Sequence, residues 1–142
     1  MIRKNLSLSL PLLLAAALAA PASAGPAQDR LLESLRAEAG QAEPGFTGFS
    51  AERGRALYLG PHAGGQPDMP ACAACHTPDP GRVGQHVKTG REIEPMAVRI
   101  NPARFTDPAQ VEKRFSRDCP NVLGRACTAR EKGDIIQFLS SP

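Results

Sequence analysis

Cys72-Ala73-Ala74-Cys75-His76 is the stretch on which the reading of this chain turns. Two cysteines three residues apart lie on one side of a helical turn, and a histidine follows the second directly. This C-x-x-C-H spacing is the attachment signature of c-type haem. The two thiols form thioethers with the vinyl groups of one haem, and His76 then stands beneath the iron as its proximal ligand. Two other chemistries use paired cysteines. A thioredoxin-like C-x-x-C belongs to a βαβ unit, whereas here Pro70 precedes the motif, Thr77-Pro78 follows it, and no strand pattern is in sight. A zinc knuckle needs two further ligands at short spacing, and only His62 and His86 are near. The motif therefore predicts one haem c, covalently held by Cys72 and Cys75 and ligated by His76.

The composition agrees with a chain that needs help to fill its core. Its 142 residues contain one Tyr, five Phe and no Trp, enough for one domain with few large apolar side chains. A net charge of +3 is too slight to point to nucleic acid. At the N-terminus Arg3 and Lys4 precede an apolar run from Leu6 to Ala20, and Ala22-Ser23-Ala24 follows as a small-residue cleavage site. This is the layout of a secretory signal peptide. The run is interrupted by Ser7, Ser9 and Pro11 and falls short of the roughly 20 apolar residues a spanning helix needs. The expected organisation is a cleaved signal peptide over 1–24 and a monohaem cytochrome c domain over 25–142. No membrane anchor remains after cleavage, and the periplasm is the expected location. In such an oxidising compartment Cys119 and Cys127, with no histidine behind either, read as a disulfide and not as a second haem site.

Helical signals flank the motif on both sides. Leu31, Leu32, Leu35 and Ala39 share one face of a predicted helix over 28–39, which Gly40 ends. Ser50 caps SAERGRALYL, whose Gly54 and Tyr58 lie one turn apart. Asp107-Pro108 opens a helix reaching about Arg117, with Val111 and Phe115 on its apolar side. Thr128-Ala129-Arg130-Glu131 is a capping box for a last helix whose apolar side is Ile135, Ile136, Phe138 and Leu139. Residues 77–104 contain four Pro and three Gly and read as a long loop without strands, wrapped around something. The fold class is all-α.

With these residues in view the chain resembles a class I cytochrome c, short helices and long loops around one haem. It is more closely similar to the sphaeroides haem protein family, monohaem cytochromes c that bind oxygen and other diatomics. The similarity runs from Pro26 to Leu139 and is carried by AERGRALYL, GGQPDMPACAACH, TGREIEP, PARFTDPAQVEKRF and RDCPNVLGRACTAREKGD. In that family an Asn directly before the first Cys of the disulfide loop is the sixth iron ligand of the oxidised protein, and it swings away on reduction. The matching position here is Asp118, and Asn121 lies three residues further on.

Ligand chemistry orders the candidates for the sixth position. Met96 offers a soft thioether that favours ferrous iron and makes a conventional electron carrier, or else simply packs over the haem face. Asp118 offers a hard anionic oxygen that favours ferric iron. His62 and His86 are further candidates, and water is the last. The expectation is that Asp118 or water occupies the ferric site and leaves on reduction, opening a distal site to O2, NO or CO. The alternative is a closed His/Met carrier. Arg91, Arg99, Arg104 and Arg125 are candidate partners for the haem propionates, and Lys113, Arg114 and Arg117 form a basic patch suited to an acidic partner. The expected partners are other periplasmic redox proteins, met transiently, and a diatomic gas. No nucleophile–base pair, nucleotide loop or second metal cluster points to chemistry other than that of the haem, and an enzyme acting on a gaseous ligand stays open beside a gas binder.

Overall fold

The computed structural model describes residues 25–141, and the predicted signal peptide lies outside them. Helix α1 (Pro26–Ala42) starts with Pro26, a residue with no N–H to leave unsatisfied in a first turn. It runs past Gly40, which was expected to end it. A glycine inside a helix costs only about 1 kcal/mol relative to alanine, and the helix continues until Glu43 caps it just before Pro44. Helix α2 (Ala51–Leu59) begins where the Ser50 hydroxyl accepts the Arg53 N–H at 3.2 Å. Four helical residues, α3 (Ala73–His76), carry the cysteine–histidine motif. Helices α4 (Pro108–Leu123) and α5 (Ala129–Leu139) complete the set, the latter opened by the Thr128/Glu131 capping box in full.

The core lies where α5 packs against both α1 and α2. Leu31, Leu32, Leu35 and Ala39 of α1 meet Tyr58, Phe105, Ala129, Ile135, Ile136 and Leu139 there. The α2–α5 crossing brings backbone against backbone. A Cβ on Gly54 would stand 1.9 Å from the Asp134 carbonyl oxygen. One turn on, the rings of Tyr58 and Phe138 meet at 5.5 Å. Asp134 is only 3% exposed and locks the crossing. Its carboxylate accepts the Ser50 N–H at 2.7 Å and the Arg53 guanidinium at 2.7 and 2.9 Å.

Two further expectations require correction. Helix α4 does not stop near Arg117 but runs on to Leu123, carrying Cys119 and Pro120 within it. Pro120 removes one N–H without breaking the helix, and Gly124, at φ 73°, ends it by returning its N–H to the Pro120 carbonyl. The stretch expected to hold no strand contains a small antiparallel ribbon, β1 (Gly84–Gln85) and β2 (Glu92–Ile93). Two residues per strand are too few to show an alternation in sequence. The rest of residues 77–104 is irregular and is tied down by long-range bonds. Met96 and Ala97 both donate their N–H to the Pro80 carbonyl, and Val98 donates to Leu139. Gln28, buried in α1, donates its side-chain amide to the carbonyls of Pro102 and Arg104 at 2.9 Å each. No helix among the described residues is long and apolar enough to cross a membrane.

Candidate functional site

The site grows from one tight turn. His76 returns its N–H to the Cys72 carbonyl at 3.1 Å, and Cys75 returns its own to the same oxygen at 3.3 Å. Both cysteines are free thiols, half-buried on that turn. Burial pushes the Cys72 thiol up to about 11, with the negative charge of Asp118 adding to the effect. For His76, burial dominates and lowers the imidazole to about 4, so the ring is neutral. Asp118 opposes that shift, and the cations of Arg104, Arg114 and Arg117 add to it. His76 Nδ1 is buried with no hydrogen-bond partner among the described residues.

The backbone around the turn is gripped from two sides. Gly84 of β1 lies so close that a Cβ there would stand 2.2 Å from the Cys75 carbonyl and 3.0 Å from His76 Cα. Behind the turn, the Tyr58 hydroxyl lies 3.0 Å from the carbonyls of both His76 and Thr77. Burial raises the Tyr58 phenol well above its ordinary value, so it is a proton donor. Sequence reasoning used Tyr58 only as a packing residue. The signal it overlooked is that a buried tyrosine hydroxyl needs a partner.

The structure sorts the distal candidates. The His62 ring is bound 2.9 Å from the Leu57 carbonyl. His86 Nδ1 faces the Lys88 and Thr89 N–H groups in its own turn. Asn121 gives its side-chain oxygen to the Gln66 amide at 2.7 Å and its carbonyl to the Gln66 N–H. His62 Nε2 and the Asn121 side chain are engaged elsewhere, and His86 turns its Nδ1 into its own loop. Met96 is half-buried and packs against the core cluster, as Cys72 does. Asp118 acts electrostatically on both Cys72 and His76 from α4, while its own carboxylate holds Arg117 Nε at 2.7 Å. Cys119, the next residue, is disulfide-bonded to Cys127.

The cationic candidates divide in the same way. Arg125 is occupied by Glu131 at 2.7 Å, and Arg91 and Arg99 are exposed. Arg104 is half-buried, bracing the carbonyls of Glu94 and Pro95. Burial lowers it, and Arg114 adds to that shift.

Free thiols on one turn, a buried neutral imidazole with an unpartnered nitrogen, and a glycine-lined backbone beside them fit a haem c. The comparisons agree. A family profile described as a domain of unknown function (DUF1924) matches residues 44–139. The cytochrome c-type protein SHP of Cereibacter sphaeroides is 47% identical over 92% of this chain and 96% of its own length. The structure of oxidized SHP, an oxygen-binding cytochrome c, superposes with a TM-score of 0.73 at 44% identity, covering 80% of this chain and 95% of that one. The solution structure of cytochrome c'' from Methylophilus methylotrophus, studied for haem-ligand detachment, gives a TM-score of 0.68 at 34% identity over 79% of this chain and 90% of that one. With the C-x-x-C-H turn, the α2–α5 crossing and the disulfide-closed α4 all in place, the chain belongs to the SHP family of c-type cytochromes.

Proposed function

We propose that this chain is an exported periplasmic monohaem cytochrome whose distal side opens on reduction to a diatomic gas, O2, NO or CO. In this reading residues 1–24 are a signal peptide, Cys72 and Cys75 attach one haem c, and His76 is the proximal ligand. The bound haem supplies an iron that cycles between ferric and ferrous and takes ligands on both faces. The chain's residues do the rest. The thioether-forming cysteines fix the edge of the group, and the buried His76 ring is presented from a turn that Tyr58 and Gly84 hold still. Asp118 offers an anionic oxygen that suits the ferric state and binds the ferrous state less well. Arg117 gives the released carboxylate another partner. Arg104, half-buried, is the cation best suited to a propionate, and the basic side chains of α4 suit an acidic redox partner.

The observation that carries this reading is the turn itself, with two free thiols and a buried His76 whose Nδ1 has no partner among the described residues, in a chain where Asp118 stands directly before the disulfide-bonded Cys119. The packing of Met96 on the core cluster supports a role for its side chain as apolar lining. The test is the visible spectrum of the holoprotein when ferric, dithionite-reduced, and reduced with CO. A high-spin ferrous spectrum that shifts at once with CO is expected, together with an altered ferric spectrum in Asp118→Ala. A sharp low-spin ferrous spectrum unmoved by CO and abolished by Met96→Ala would establish the His/Met carrier instead.

A further inference from the structure

The turn that carries His76 ends on a strained residue. Thr77 stands at φ 62°, ψ 156°, a region that side-chain-bearing residues occupy only when their surroundings impose it. Three contacts impose it here. The Tyr58 hydroxyl lies 3.0 Å from the His76 carbonyl and 3.0 Å from that of Thr77. The Thr77 hydroxyl donates to the Asp79 carbonyl at 2.6 Å. Gly84 closes on the Cys75 carbonyl from the other side. Tyr58 itself has little freedom, being 1% exposed and wedged against Phe138.

The peptide joining His76 to Thr77 is therefore held by a hydroxyl reaching in from α2. That peptide sets the direction of the His76 Cα–Cβ bond, and the imidazole hangs from it. With the backbone held in this way the base of the ring, its Cα–Cβ bond, cannot shift without breaking the Tyr58 bonds or moving the helix crossing behind them. Were ligand binding by a haem held here to pull on His76, a stiff mount would oppose it and a loose one would permit it.

We propose that Tyr58 is a positioning residue for the proximal ligand: its hydroxyl, by holding the strained His76–Thr77 peptide, fixes the pose of the imidazole and thereby sets the ligand affinity of the opposite face. This rests on the assignment of His76 as proximal ligand and on an open ferrous distal site. The experiment is resonance Raman spectroscopy of the ferrous holoprotein, read at the iron–imidazole stretching band, with CO affinity measured beside it. Tyr58→Phe keeps the ring and removes only the hydroxyl. It is expected to shift the band and to raise CO affinity by about two- to tenfold, the range one modest hydrogen bond commands. Thr77→Gly loosens the same peptide without touching α2 and is expected to move the band in the same direction, and it decides the matter if Tyr58→Phe yields no holoprotein. A Tyr58→Phe protein with a lowered melting temperature but an unmoved band and unchanged CO affinity overturns the proposal, because then the hydroxyl only stabilises the fold. Absence of any iron–imidazole band in the wild type overturns the underlying assignment, and the proposal falls with it.

Discussion

The α2–α5 crossing and the His76 turn are adjacent, yet they are held together by different means. At the crossing the chain satisfies itself: glycine against backbone, tyrosine against phenylalanine, and a buried carboxylate with three donors. At the turn it does not. Two thiols are free, a buried imidazole nitrogen has no partner among the described residues, and Thr77 is strained. The difference teaches where the chain expects a partner. A region that leaves buried polar atoms unpaired is stable only when something else completes it, and Tyr58 links that region to the one that is complete.

The largest expected effect comes from denying the turn its partner. Cys72→Ser combined with Cys75→Ser removes the two thiols proposed to attach the haem. The core left behind, a few leucines and isoleucines on short helices, is too thin to hold alone. Circular dichroism should show most of the helical signal lost at room temperature. Survival of the crossing without the group would instead make it a self-sufficient unit. Next comes Gly54→Ala, which forces a methyl into the Asp134 backbone. A loss of about 3 kcal/mol or more in chemical denaturation is expected, since neither helix can give way cheaply. Asp134→Ala strips the Ser50 N–H and the Arg53 guanidinium of their acceptor. Arg53 can turn to water, so the expected loss is about 2 kcal/mol.

The smallest effect is at the start of α5. Arg125, and then the Thr128 N–H, hold the Glu131 carboxyl below its ordinary value. Its contribution is therefore present at neutral pH and lost as pH falls from the usual glutamate range, about 4.3, towards the lowered value. Glu131→Gln should cost about 1 kcal/mol at pH 7 and show a shallower acid limb in thermal melts than the wild type. These last two substitutions lie in the self-satisfied region and should leave the ferrous visible spectrum unchanged.

Much of this was legible in the residues. The motif, the Ser50, Asp107 and Thr128 caps, and the apolar faces of α1 and α5 are local features. A cap or a three-residue spacing acts within one turn of chain, so sequence by itself determined them. It also determined that the core is too poor in aromatics to be complete. The candidates for the distal position were legible only as a list. Whether His62, His86 or Asn121 is available depends on bonds to Leu57, to a turn and to Gln66, and nothing local announces those. The run of α4 through Pro120, the Gly84 ribbon against Cys75, the Arg53–Asp134 clamp and the Tyr58 hydroxyl behind His76 were decided by tertiary structure alone. Apart from the run of α4, each joins residues from separate elements, in the clamp more than 80 positions apart. Contacts of that range are chosen by what packing brings together, not by the pattern on either side.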